Sequence, residues 1–110
     1  MSEVTDRIES AIKQNKIVLF MKGTRNFPQC GFSAATVQIF ESLGAPFGTV
    51  DVLADQELRE AIKRYSNWPT IPQVYINGKF VGGCDIVREL YESGELQEMV
   101  KSALGESATR

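Results

Sequence analysis

The chain has 110 residues, with 12 Lys and Arg against 14 Asp and Glu, two cysteines and no histidine. This length predicts one domain with a single core, and the slightly acidic balance argues against a nucleic-acid partner. We expect no secretory signal and no membrane partner, because the acidic start lacks an apolar stretch and no apolar run reaches transmembrane length. Two cysteines so far apart in sequence are not a disulfide framework, so we expect a reducing, cytoplasmic setting.

The first half of the chain predicts two helices and two strands in alternation. Helical periodicity predicts a first helix over about residues 3–15, and the continuous apolar run Ile17–Met21 predicts a central strand covered on both faces. A loop over 22–29 leads to a second helix that ends at Gly44, and 47–52 predict a second strand. The buried faces of these two helices are predicted from Val4, Ile8, Ile12, Val37, Phe40 and Leu43.

The second half predicts a helix, a hairpin and two further helices. Asp55 can cap the third helix, and Asn77-Gly78 between 73–76 and 79–81 is a strong hairpin signal. Gly94 separates the last two helices. The inner faces of the three helices are predicted from Leu58, Ile62 and Tyr65, then Ile86, Val87, Leu90 and Tyr91, then Leu96, Met99, Val100 and Leu104.

This order of elements predicts an α/β domain built on a four-stranded mixed sheet with helices on both faces. The first two strands are joined by the second helix, and such a right-handed β-α-β crossover makes them parallel. The hairpin supplies an antiparallel pair. We assign the whole chain, 1–110, to this domain, with a frayed tail over about 105–110. Ligands gather at the carboxyl ends of parallel strands, where Cys30 lies. The residues after Trp68 join it there if the hairpin enters beside the first strand.

Cys30 is the main candidate for chemistry. It stands in the sequence Cys30-Gly31-Phe32-Ser33, between the loop and the second helix. A thiol at a helix N-terminus tends to ionise and to act as a nucleophile or a metal ligand. Ser33 occupies the position of the second cysteine in a C-x-x-C pair and cannot resolve a mixed disulfide. We therefore expect Cys30 to work with a thiol from elsewhere.

Two further pairs of residues have both a structural and a functional interpretation. Arg59 and Lys63 lie four residues apart on one helix, so they form either a solvated polar face, which the pattern alone favours, or a grip for a carboxylate. Cys84 is a small buried residue, a disulfide partner for Cys30 or a thiol that lines the site. Asp85 is either the N-cap of a helix or a partner for a ligand's ammonium group.

Thr70-Ile71-Pro72 precedes the third strand, where a proline is tolerated as the first residue. Local sequence favours an ordinary trans proline. A cis bond at Pro72 would instead expose the backbone of Ile71 for pairing with an extended peptide.

Four motifs together resemble the monothiol, CGFS-type glutaredoxins, in order and spacing, from about Glu3 to Leu104. The resemblance implies a thioredoxin-like fold, glutathione as ligand and a cis bond at Pro72. The motifs are Lys22-Gly23-Thr24, Pro28-x-Cys30-Gly31-Phe32-Ser33, Trp68-Pro69-Thr70-Ile71-Pro72-Gln73 and Gly82-Gly83-Cys84-Asp85.

The resemblance also implies a role for each residue of a glutathione site. Lys22 and Arg59 would pair with the glycyl carboxylate, with Lys63 as a helper. Ile71 would pair with the cysteinyl unit through its backbone, and Cys84-Asp85 would hold the γ-glutamyl end.

The function implied by the resemblance is that of an iron–sulfur carrier. A 2Fe–2S cluster usually takes four thiolates, and two Cys30 thiolates with two glutathiones supply them at a homodimer interface. Such a dimer would pass its cluster to apo iron–sulfur proteins. One alternative is an oxidoreductase that reduces glutathione mixed disulfides through Cys30. Another is an adaptor that shares a cluster with a BolA-like protein. A purely structural module would leave the four motifs unexplained.

Overall fold

A computed structural model describes residues 3–105, and the predicted order of elements is confirmed. The elements are α1 (Glu3–Gln14), β1 (Ile17–Met21), α2 (Gly31–Leu43), β2 (Gly48–Asp51), a 3-10 turn (Val52–Ala54), α3 (Gln56–Ser66), β3 (Gln73–Ile76), β4 (Lys79–Gly82), α4 (Cys84–Ser93) and α5 (Glu95–Leu104). Of the tail predicted at 105–110, all but Gly105 lies outside the described residues.

The four strands form one mixed sheet in the order β2-β1-β3-β4. β1 is parallel to β2 and antiparallel to β3, and β3 is antiparallel to β4. Met21 pairs with Asp51, and Phe20 pairs with Gln73. The carboxyl ends of β1 and β2 therefore meet the start of β3 at one edge of the sheet, as predicted for a ligand site.

Alternate residues of β1 belong to two hydrophobic cores on opposite faces of the sheet. Ile17, Leu19 and Met21 pack with α2, α4 and α5, whereas Val18 and Phe20 pack with α1 and α3. Every residue of this strand is fully buried, because both faces are covered. This mixed sheet between two helical layers is a thioredoxin-like fold. None of the helices within residues 3–105 combines the length and apolarity needed to cross a membrane.

Two local predictions need correction. β2 is shorter than 47–52, because the Asp51 carboxylate accepts a hydrogen bond from the Leu53 N–H at 2.9 Å and starts the 3-10 turn. Tyr65 does not belong to the buried face of α3, since 42% of it is exposed in the last turn of the helix. Ala61 is buried there instead. The predicted cap is confirmed: the Asp55 carboxylate accepts hydrogen bonds from the backbone N–H groups of Glu57 and Leu58, at 3.0 and 3.2 Å.

Candidate functional site

Cys30 is the N-cap of α2, which confirms its predicted place at the N-terminus of that helix. The pKa of the Cys30 thiol is lowered below its ordinary value, mainly by a hydrogen bond from the Ser33 backbone N–H. Burial opposes this shift, while the Phe32 N–H, the charge of Lys22 and the Ser33 hydroxyl act in the same direction as the Ser33 N–H. The first turn of α2 therefore favours a thiolate, which is the nucleophilic and metal-binding form.

Ser33 is fully buried and does more than replace a second cysteine. Its hydroxyl accepts a hydrogen bond from the Lys22 N–H at 3.1 Å. The Lys22 carbonyl accepts from the Gln29 N–H at 2.9 Å, and the Gly23 N–H donates to Asp51 at 2.9 Å. These three contacts fix the backbone of Lys22 beside Cys30.

Cys30 opens onto a cavity of about 480 Å³ at the edge of the sheet that the topology indicated. All seven residues singled out from the sequence line this cavity. They are Lys22, Cys30, Arg59, Lys63, Ile71, Cys84 and Asp85. The cavity lies within the size range of small-molecule sites, so the fold brings the residues of four separate motifs around one volume that can hold a ligand.

Arg59 and Lys63 project from α3 into the cavity wall and are partly buried. The pair therefore lies at the cavity, where its interpretation as a grip for a carboxylate stays a prediction. The Arg59 Nε is buried without a hydrogen-bond partner among the described residues. Among residues 3–105, the Lys63 ammonium has only a long contact with Glu60, 3.9 Å between Nζ and the carboxylate. Together with Lys22, Arg59 and Lys63 give the cavity lining a positive charge suited to a carboxylate.

Another part of the cavity lining is the segment between α3 and β3, together with the start of α4. Ile71 lines the cavity, and the Ile71–Pro72 peptide bond is cis, as the resemblance implied and contrary to the local preference for trans. The segment begins at Trp68, whose N–H donates to the Lys63 carbonyl at 3.1 Å.

The start of α4 brings a second thiol and a carboxylate to the cavity. Gly83 is the N-cap, so the prediction of Asp85 as the cap is wrong, because α4 already begins at Cys84. The Asp85 side chain is 82% exposed and lies 3.7 Å from Arg88. Cys84 is buried yet lines the cavity, and both cysteines are free thiols in this structure. Cys84 thus combines two of the interpretations left open by the sequence.

Sequence reasoning missed two residues of the wall region. Trp68 was part of a motif without a role, but its ring lines the cavity and its indole N–H is buried without a described partner. Gln73 is fully buried in the otherwise apolar strand β3. A polar residue within an apolar strand was the signal that could have drawn attention to Gln73.

Comparison with known proteins agrees with this geometry. The family model described as Glutaredoxin matches residues 17–81. The chain is 62% identical over 102 residues to an "Uncharacterized monothiol glutaredoxin ycf64-like" of Synechocystis, covering 93% of this chain and 95% of that protein. It is 52% identical over 102 residues to the chloroplastic monothiol glutaredoxin-S14 of Arabidopsis thaliana, covering 93% of this chain and 59% of that protein.

A solved structure adds a ligand to the comparison. The structure of the buckwheat glutaredoxin–glutathione complex superposes with a TM-score of 0.82 at 26% identity, covering 91% of this chain and 89% of the buckwheat chain. The family model, the two relatives and the shared fold agree on one assignment. The chain has one cysteine at the start of α2 and a serine three residues later, as a monothiol protein requires. The chain belongs to the glutaredoxin family, among its monothiol members.

Proposed function

We propose that the cavity binds glutathione beside the Cys30 thiolate. The observation that carries the proposal is the charge of the cavity lining: Lys22 precedes the Cys30 loop, Arg59 and Lys63 belong to α3, and the Asp85 carboxylate stands at the start of α4. Glutathione has a carboxylate at its glycyl end and an ammonium group at its γ-glutamyl end. The bound tripeptide would therefore lie with its glycyl end toward Lys22 and Arg59 and its amino group toward Asp85.

The central part of the tripeptide would lie along the wall at Ile71. An extended peptide pairs through its main chain with an exposed backbone edge. Ile71 lies two residues before β3, so its backbone would continue the edge of the sheet toward Cys30. In this orientation the glutathione sulfur faces the Cys30 thiolate.

Binding is tested by calorimetric titration of Arg59→Ala with glutathione, with Arg64→Ala as the matched control. Arg64 belongs to the same helix but does not line the cavity. A lost charge-assisted hydrogen bond weakens binding by about 10- to 100-fold. Equal affinity in the two variants would refute the assignment of Arg59, and no binding to the wild-type chain would refute the site.

We infer that the site, once loaded with glutathione, carries a 2Fe–2S cluster between two copies of the chain. Four thiolates are the usual ligands of such a cluster, and one chain has only two cysteines. The second cysteine is buried, so each copy would offer Cys30 and one glutathione. Because a small-molecule thiol can dissociate, the cluster would be transferable to apo iron–sulfur proteins, and a BolA-like protein could replace one copy.

Anaerobic reconstitution with iron, sulfide and glutathione tests the carrier function. We expect a coloured dimer from the wild-type chain and from Cys84→Ser, and a colourless monomer from Cys30→Ser. Omission of glutathione should also prevent loading. A colourless wild-type monomer, or full retention of the cluster by Cys30→Ser, would refute the proposal.

Reduction of glutathione mixed disulfides is a second candidate function, favoured by the lowered pKa of Cys30. The Cys30 thiolate would attack the mixed disulfide and take its glutathionyl group, releasing the protein thiolate. A second glutathione would then restore Cys30 and leave as glutathione disulfide. Rapid turnover coupled to glutathione reductase would rank this reaction above cluster transfer. Both reactions suit the reducing cytosol that we propose as the compartment, although the Arabidopsis relative is chloroplastic.

A further inference from the structure

One wall of the cavity consists of a segment that belongs to neither a helix nor a strand. Residues 68–72 lie between the end of α3 and the start of β3, and all five line the cavity. Their start is held by the Trp68 N–H, which donates to the Lys63 carbonyl and to the Ser66 hydroxyl, both at 3.1 Å. A wall without regular backbone pairing needs other contacts to keep its shape.

The side chain of Gln73 makes such contacts from beneath the wall. Its Nε2 donates to the Trp68 carbonyl at 3.1 Å and to the Thr70 carbonyl at 3.2 Å. Both partners are carbonyls and can only accept, which fixes the amide with its nitrogen toward the wall. Gln73 is fully buried and does not line the cavity.

The position of Gln73 makes this amide a rigid link. Its backbone belongs to β3 and pairs with Phe20 of the fully buried strand β1. The side chain therefore ties two carbonyls of an irregular segment to a buried strand of the sheet. Without the amide, both carbonyls would lose a partner in a partly buried setting, and the segment would turn them toward water.

We propose that Gln73 is a positioning residue for the ligand cavity: it contacts no ligand but holds segment 68–72 in the shape that the ligand meets. The identity of the ligand rests on the proposed function, whereas the link itself does not. Cys30 lies on α2 and owes its lowered pKa to α2 and Lys22, so the loss of Gln73 should weaken binding without changing the thiol.

The test compares Gln73→Met with Gln97→Met. Methionine keeps the length of the side chain and removes the amide. Gln97 is partly buried and likewise donates to a carbonyl, that of Tyr91 at 3.4 Å, but lies on α5 and does not line the cavity. For Gln73→Met we expect the dissociation constant of glutathione to rise about tenfold, as the loss of two neutral hydrogen bonds implies. The pH profile of Cys30 alkylation should not change.

A second readout needs no ligand. Trp68 is the only tryptophan, so acrylamide quenching of its fluorescence reports on the wall alone. Quenching should increase in Gln73→Met and stay at the wild-type level in Gln97→Met. Equal quenching in the two variants, or a parallel change in Cys30 alkylation, would overturn the proposal. If wild-type protein binds no glutathione, the proposed function fails, and quenching still decides the role of Gln73.

A measurement on the wild-type chain covers the case in which Gln73→Met does not fold. NMR should find that the side-chain amide protons of Gln73 exchange with solvent far more slowly than those of the exposed Gln38. Equal exchange rates at the two glutamines would mean that the link does not exist in solution.

Discussion

At the scale of single residues, Ser33 and Cys30 form one unit. The Ser33 N–H and hydroxyl both lower the pKa of Cys30, while the same hydroxyl accepts the Lys22 N–H. The serine therefore links the thiol to the end of β1. Ser33 therefore has a buried hydrogen-bonding role at the position of the second cysteine in a C-x-x-C pair.

Ser33→Ala should raise the pKa of Cys30 and destabilise the fold by about 1–3 kcal/mol, because the Lys22 N–H loses its partner. The Ser33 backbone N–H, the largest cause of the shift, remains in the variant, so part of the shift should survive. The pH dependence of alkylation and urea unfolding measure the two effects. An unchanged alkylation profile would contradict the first expectation.

Lys22→Gln should also raise the pKa of Cys30, because the lysine charge favours the thiolate. At neutral pH the thiolate fraction and the alkylation rate of Lys22→Gln should then fall below those of the wild type. The alkylation rates of the variant and the wild type should become equal at a pH well above both pKa values. The difference should shrink in high salt, which screens the charge. Lys79→Gln is the control, since Lys79 pairs with Ile76 at the opposite end of the sheet. An equal loss in this control would indicate a nonspecific effect of net charge.

At the scale of elements, the loop between β1 and α2 holds Lys22 and Cys30 in register. Gly23 has a φ of +94°, and a Cβ there would lie 2.6 Å from both the Gln29 N and the Phe27 O. These are backbone atoms, so the loop itself would have to move. The loop is also braced by Arg25, which lies 3.8 Å over the Phe47 ring and 2.7 Å from Glu41.

Gly23→Ala should destabilise the protein by about 2 kcal/mol or more, from the left-handed backbone and the close contact together. It should also slow Cys30 alkylation, because the loop carries Lys22. Gly31→Ala is the control: a Cβ at this helical position meets nothing within 4 Å. Urea unfolding of both variants provides the comparison, and equal stability would argue against a strained loop.

At the scale of the whole molecule, the central sheet lies between the hydrophobic core under α1 and the helix α2 that begins at Cys30. α1 and α3 bury one face of the sheet, whereas α2 packs on the other face. The core under α1 contributes to folding without contact with the first turn of α2. The site at the edge of the sheet then depends on both layers, because Arg59 comes from α3 and Cys30 from α2.

Ile8→Ala should destabilise the chain by about 2–5 kcal/mol, because Ile8 is 1% exposed in the core under α1. The pKa of Cys30 should stay at its wild-type value under folding conditions. Lys13→Ala, an exposed change on the same helix, should alter stability by no more than about 0.5 kcal/mol. A shift in the alkylation profile of Ile8→Ala would show that the two faces are coupled.

The sequence alone determined the order of the elements, the mixed sheet and the place of Cys30 at a helix N-terminus. These follow from local patterns: apolar runs, helical periodicity, Asn77-Gly78 and the Asp55 cap. Local patterns were insufficient at Tyr65 and Asp85, because the last turn of a helix can leave the core and a cap can shift by two residues. Such details depend on packing against other elements.

Only the tertiary structure decided which side chains line the cavity and which buried side chains hydrogen-bond to its backbone. Arg59 and Lys63 match a solvated face in sequence, and the approach of α3 to the edge of the sheet makes them cavity residues. Ser33 and Gln73 became structural links because their hydrogen-bond partners are distant in sequence or belong to an irregular segment. The physical reason is that burial and hydrogen-bond partners are set by the meeting of separate elements, which no single stretch of sequence encodes.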